Sequence, residues 1–243
     1  MKTAIVTGAN GGIGGATCTA LRAAGYRVIG TDVLSGRPDC DVFLRVELRD
    51  LCGGASGREA TLARIREAIG GSPLGLLVNN AAVQILGSSE ALTAEQWHET
   101  LDVNLLAPFM LAQGLLPELE RGGGSIVNVA SIHASLTKPG FVAYATSKAA
   151  LVGLTRAMAV DLGSRVRVNA VLPAATATPM LLAGLPGQAE RDALGAMHPT
   201  GRIARADEIA AAIVYLASDA ASFVTGAAFT VDGGVGVRLH DPA

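Results

Sequence analysis

A doubly wound α/β domain is what this sequence predicts, and three observations carry the prediction. Short apolar runs alternate with longer amphipathic ones along the chain, the βαβ pattern of a parallel sheet. Half of the 243 residues are hydrophobic and only 4% are aromatic, which suits aliphatic strands covered by helices on both faces. The first strand runs directly into a glycine-rich turn and a helix, at Ala4-Ile5-Val6-Thr7-Gly8-Ala9-Asn10-Gly11-Gly12-Ile13-Gly14.

Seven strands are expected, at Thr3–Thr7, Arg27–Thr31, Val42–Val46, Leu76–Asn79, Ser125–Val129, Arg167–Leu172 and Ala228–Val231. Each is a short run rich in Val, Ile, Leu or Ala. The helices expected between them are Gly12–Ala24, Arg58–Ile69, Ala94–Leu119, Val142–Leu162 and Ala206–Ala217. Gly53–Gly57 and Gly70–Gly75 read as loops. The segment 178–200 is apolar but interrupted by Pro179, Gly184, Pro186, Gly187, Gly195 and Pro199. It is expected to be a mobile substrate-binding loop within one domain spanning 1–243.

The charge and special residues exclude several functions. A net charge of −2, with no run of Lys or Arg, offers nothing to nucleic acid. No stretch reaches the roughly 18 apolar residues that a membrane helix needs, and a signal peptide is not expected before a strand that starts this early. Cys18, Cys40 and Cys52 lack metal-ligand spacing and read as reduced thiols. The histidines, His98, His133, His198 and His240, are too far apart for a helical zinc pair. A cytoplasmic protein without a metal is expected.

The glycine-rich turn has the chemistry of a dinucleotide site. Gly8 permits a tight turn, Gly12 a close phosphate approach, and Gly14 close packing of helix on strand. The helix N-terminus offers unpaired N–H groups to a pyrophosphate. Asp32 ends the next strand, near the roughly 20-residue spacing of a carboxylate that binds the adenosine ribose. That carboxylate would repel a 2′-phosphate, and Gly8–Gly15 holds no cation to compensate. Arg37 is the nearest basic residue following Asp32. NAD is therefore expected over NADP.

Tyr144-Ala145-Thr146-Ser147-Lys148 places a phenol and an ammonium four residues apart, on one helix face. A cation beside a phenol favours the phenolate, as an acid–base tyrosine requires. With these residues the chain resembles the short-chain dehydrogenase/reductase family over essentially its whole length. The matches stand in order: Thr7-Gly8-x-x-x-Gly12-x-Gly14, Asn79-Asn80-Ala81, Asn104, Ser131, Tyr144-x-x-x-Lys148, Pro173 with Thr178, and Val231-Asp232-Gly233-Gly234.

The resemblance implies a Rossmann fold with a seven-stranded parallel sheet in the order 3-2-1-4-5-6-7. It implies that Tyr144 exchanges the proton, that Lys148 lowers its pKa and holds the nicotinamide ribose, and that Ser131 binds the substrate oxygen. Asn104 would sit at a helix kink and link Lys148 to solvent through water. Gly8, Asn10, Gly12, Ile13, Gly14, Asp32, Val33, Asn80 and Ala81 would line NAD, with Thr176 and Thr178 at its carboxamide. The chain departs from the family pattern at Ala82 and Ala174, where glycine is usual, and at Glu47-Leu48, where Asp-Val usually borders the adenine. Gln84, His133, Ser135, Phe141 and Met180 are the expected pocket residues.

The expected function is hydride transfer between NAD and a small secondary alcohol or ketone: a polyol, sugar, cyclic alcohol or hydroxy acid. A homotetramer is expected. The alternatives are an NADPH-dependent ketoreductase, such as a 3-oxoacyl-carrier-protein reductase, and a non-catalytic dinucleotide sensor. A methyltransferase would give Tyr144 and Lys148 no task, and an extended-family epimerase needs a larger C-terminal region.

Overall fold

A computed structural model of the chain describes residues 1–185 and 187–239; Pro186 and His240 lie outside the described residues. The strands are β1 (Thr3–Thr7), β2 (Arg27–Asp32), β3 (Val42–Arg45), β4 (Leu74–Asn79), β5 (Ser125–Val129), β6 (Arg167–Pro173) and β7 (Ala228–Val231). They form one sheet in the order β3-β2-β1-β4-β5-β6-β7, and every pairing is parallel. The helices are α1 (Gly12–Ala23), α2 (Ala55–Ile69), α3 (Ala94–Leu101), α4 (Ala107–Gly114), α5 (Leu116–Gly122), α6 (Val142–Leu162), α7 (Pro179–Ala183), α8 (Gln188–Ala196) and α9 (Ala206–Ala217).

Strand alternation builds two cores. Ile5, Ile29, Leu77 and Ile126 face one side, against Leu62 and Ile65 of α2, Leu111 of α4, and Ala159 and Leu162 of α6. Their neighbours Ala4, Val6, Val28, Leu76, Val78 and Val127 face the other, against Leu21 of α1 and Ile209, Ile213 and Leu216 of α9. Because β1, β4 and β5 are buried throughout, their sequences are nearly continuous apolar runs. Fully burying one such Leu or Ile contributes roughly 1.5–3 kcal/mol. The edge strands β3 and β7 are only partly covered.

Two expectations need correction. The single helix expected over Ala94–Leu119 is broken into α3, a π turn at Asp102–Leu106, α4 and α5. Pro108 and Pro117 lie in the first turns of α4 and α5. Pro108 has no N–H to return to the carbonyl of Asn104, four residues back, and the distortion is taken up by the π turn. The segment 178–200 is not irregular throughout, since it carries α7 and α8. Its Pro179 is a helix starter after the Thr178 cap, a position where proline is favoured. Smaller shifts follow from the same glycines: α2 begins at Ala55, inside the expected loop, and β4 begins at Leu74.

Candidate active site

The C-terminal ends of β1, β2 and β4 meet at the glycine-rich turn. Gly8 has φ +65°, and a Cβ there would lie 2.9 Å from the Ala81 Cα. At Gly14 a Cβ would lie only 2.0 Å from the Gly8 carbonyl oxygen, so helix and strand pack as expected. The neighbour across Gly12 is Thr178, whose Cγ2 would be 2.8 Å from a Cβ. Ile13 packs into the second core. The side chain of Asn80 donates to the carbonyls of Thr7 (2.8 Å) and Gly8 (3.1 Å). The Thr7 hydroxyl accepts from the amides of Asn80 and Ala81, both at 3.0 Å.

Asp32 braces the same turn. Its Oδ2 accepts from the Asn10 amide and its Oδ1 from the Leu34 amide, both at 3.0 Å. The Asn10 side chain donates to the Leu34 carbonyl at 2.8 Å. No side chain caps the N-terminus of α1. This cradle fits the pyrophosphate and ribose of a dinucleotide, because the N-terminus of α1 carries no side-chain cap and because each Asp32 oxygen keeps a free lone pair.

Val33 is 45% exposed beside Asp32. Arg45, across from Asp32 in the β2–β3 register, donates through Nε to the Val33 carbonyl at 3.0 Å. The fold thus brings a cation to the end of β2 that sequence proximity alone, which points to Arg37, does not reveal. Glu47 caps a short 3-10 turn by accepting from the Arg49 amide at 3.1 Å. Leu48 is buried in the first core, so its side chain does not face an adenine surface. Apolar packing against α2 and α4 claims it instead.

Ser131 follows β5, and its Oγ accepts from the His133 amide at 3.2 Å. Tyr144, Ser147 and Lys148 lie on one face of α6. Burial pushes the pKa of the Tyr144 phenol up, and hydrogen bonding with Ser131 pulls it partly back. Lys148 is 2% exposed; its Nζ donates to the Val129 carbonyl at 2.8 Å and lies 5.7 Å from the centre of the Tyr144 ring. Burial brings its pKa down to about 8. The expectation that Lys148 holds the phenol low is therefore corrected. Desolvation acts on both groups and, for Tyr144, outweighs the hydrogen bonding with Ser131.

Asn104 sits in the π turn, as the expected kink requires. Its Oδ1 accepts from the Val83 amide at 2.9 Å, and its Nδ2 donates to the Val83 carbonyl at 2.9 Å and to Ser147 Oγ at 3.0 Å. Ser147 donates in turn to the Tyr144 carbonyl at 2.7 Å. Asn104 therefore clamps the loop after β4 to the α6 face that carries Tyr144 and Lys148. Ser147 was signalled only by its place inside the Tyr-x-x-x-Lys motif.

Of the expected pocket residues, the structure brings together His133 and Phe141. Their rings stack at 4.4 Å, and both meet Tyr144 edge-on, at 5.7 and 6.1 Å. Gln84 and Ser135 are exposed, and Met180 is 60% exposed. The Gln84 loop reaches the segment just before α6, where the Gly87 amide donates to the Gly140 carbonyl at 2.9 Å. Thr176 is buried and donates to the Ala174 carbonyl at 3.0 Å, while the Thr178 hydroxyl accepts from the Leu181 amide at 3.3 Å. Lys138, which the motifs do not mark, holds its Nζ 4.7 Å from the centre of the Phe141 ring. Among the described residues no cluster of His, Cys, Asp or Glu could hold a metal ion, and no helix is long and apolar enough to cross a membrane.

Comparison with known proteins agrees with this fold. A family model described as enoyl-(acyl carrier protein) reductase matches residues 8–236. The D-threitol dehydrogenase of Mycolicibacterium smegmatis is 35% identical, over 98% of this chain and 94% of that protein. An acetoacetyl-CoA reductase from an Acinetobacter species is 36% identical, over 96% of this chain and 97% of the relative. The ligand-free structure of the Thermoplasma acidophilum aldohexose dehydrogenase superposes with a TM-score of 0.92 at 31% identity, covering 100% of this chain and 96% of that one.

Proposed function

The chain belongs to the short-chain dehydrogenase/reductase family, and from that premise we propose that it oxidises a small secondary alcohol with NAD, using Tyr144 as the general base. It is an oxidoreductase of CH–OH groups and their ketones. The observation that carries the finer reading is the cluster of Ser131, Tyr144 and Lys148 beside the nucleotide cradle.

In this assignment Asp32, Asn10 and the amides at the start of α1 hold the nucleotide. Gly8, Gly12, Gly14, Ile13, Val33, Asn80, Ala81, Thr176 and Thr178 complete the cradle, and Glu47 borders the adenine. When bound, NAD supplies the acceptor for the carbinol hydride. Tyr144 takes the hydroxyl proton, Ser131 holds the substrate oxygen, and Lys148 binds the ribose. Asn104 positions the α6 face and links Lys148 to solvent through water. His133 and Phe141 line the pocket with Gln84, Ser135 and Met180, and residues 178–200 cover the substrate. We further assign a cytoplasmic homotetramer. A second reading, an NADPH-dependent ketoreductase, is favoured by one observation, the guanidinium of Arg45, the strand partner of Asp32, on the Val33 carbonyl.

The test is a panel of polyols, sugars, cyclic alcohols and hydroxy acids, each assayed with NAD and with NADP by cofactor absorbance. Tyr144→Phe should keep NAD binding while turnover drops by about 10²–10⁴-fold. If that variant retains most of its activity, the proton acceptor lies elsewhere.

A further inference from the structure

We propose that Lys138 recognises a carboxylate on the substrate, so that the preferred alcohol is a hydroxy acid whose acid group stands several bonds from the carbinol. This rests on the oxidoreductase reading above and narrows its substrate class.

Lys138 is one of only three lysines in the chain. It is exposed, and among the described residues no carboxylate pairs with it. Its ammonium is directed, because it lies 4.7 Å from the centre of the Phe141 ring, a cation–π contact that holds a flexible side chain in place. Phe141 in turn stacks on His133 and meets Tyr144 at 6.1 Å. The two distances from the Phe141 ring bound the separation of the ammonium from the phenol. His133 already feels that charge: burial lowers its pKa, and Lys138 lowers it further.

The surrounding segments leave this charge unbalanced. Residues 131–148, 79–87 and 173–185 contain no Asp or Glu. Asp232 approaches this loop at Leu136, but its oxygens accept from the Gly234 and Gly236 amides, and the Lys138 ammonium attracts anionic substrates and repels cationic ones. A carboxylate directly on the carbinol carbon would lie at Tyr144 and Ser131, short of Lys138. A carboxylate across a six-membered ring or along a short chain extends toward it.

The test compares 4-hydroxycyclohexanecarboxylate with its carboxamide, both isomers of each, as substrates of the wild type, Lys138→Gln and Lys138→Arg. The wild type should favour the acid, and added salt should shrink that preference. Lys138→Gln should lower the acid-to-amide ratio of kcat/KM by about 3–10-fold, mainly through KM, and Lys138→Arg should restore most of it. Equal use of acid and amide by the wild type, or an unchanged ratio in Lys138→Gln, overturns the proposal. Calorimetric binding of unreactive cyclohexanecarboxylate against its amide tests the same preference without turnover. A chain that oxidises no alcohol yet binds the acid through Lys138 would sink the dehydrogenase reading and keep this one.

Discussion

Replacing Lys148 with methionine should make the protein more stable at neutral pH while removing its activity. The side chain is 2% exposed, and burial lowers its pKa from 10.5 to about 8. At about 1.4 kcal/mol per pKa unit, that fall corresponds to roughly 3 kcal/mol of folding stability lost whenever the lysine is charged in both states. Methionine has a similar length and no charge to desolvate. It forfeits the 2.8 Å charge-assisted hydrogen bond to the Val129 carbonyl, worth about 1.5–3 kcal/mol, leaving a net gain of at most about 1.5 kcal/mol. The pH dependence carries the sign. Below about pH 8 the folded and unfolded chains both hold the proton, and the penalty is full. Between about 8 and 10.5 only the unfolded chain keeps it, so wild-type stability rises toward that of the variant. Urea unfolding at pH 7 and pH 9.5, at one protomer concentration and without nucleotide, measures this. A variant less stable than wild type at pH 7, or a difference that does not shrink with pH, would refute the reasoning.

Asp32→Ala should raise the KM for NAD by roughly tenfold or more, since charge-assisted hydrogen bonds are worth about 1.5–3 kcal/mol. It should also narrow the gap to NADP, because Arg45 remains beside the vacated position; steady-state kinetics with both cofactors decide, and a wild-type preference for NADP would show Asp32 misassigned. Gly153→Glu probes assembly through α6. Ala149, Gly153 and Ala157 form an exposed stripe, and a Cβ at Gly153 meets nothing within 4 Å, so the variant should fold. Light scattering should then report a tetramer for the wild type and a smaller species for the variant, whereas an unchanged mass would move the interface elsewhere.

Most of the sheet was legible because its signals are local. β1, β5, β7, α6 and α9 fall at their expected bounds, each an apolar run or a helical pattern ended by a turn residue. Pro108 and Pro117 were equally local signals, yet the periodicity of Ala94–Leu119 masks them: apolar residues recur at helical spacing on both sides of each break. Pro179 misleads in the opposite direction, since proline both stops helices and starts them. The shared helix face of Tyr144 and Lys148 was legible from their spacing, whereas Ser131 and Asn104 were reached through the family resemblance. Arg45 and Lys138 were not. Arg45 meets Asp32 only through the β2–β3 register, and Lys138 meets the site only through the fold of the 132–141 loop onto Phe141.

Asp32 shows why a choice between a structural and a functional reading can be false. As a turn residue it accepts from two amides and so fixes the glycine turn against the end of β2. Those bonds also orient the carboxylate, so the oxygens present their remaining lone pairs in a set direction. A ribose bound there would meet an acceptor already immobilised, with little further side-chain entropy to lose. Asn104 follows the same logic at the other end of the cleft. Its carboxamide holds Val83 and Ser147, which fixes the spacing between the loop after β4 and the α6 face that carries Tyr144. In both places the residue that shapes the backbone also sets the geometry of the chemistry, so removing either should disturb stability and turnover together.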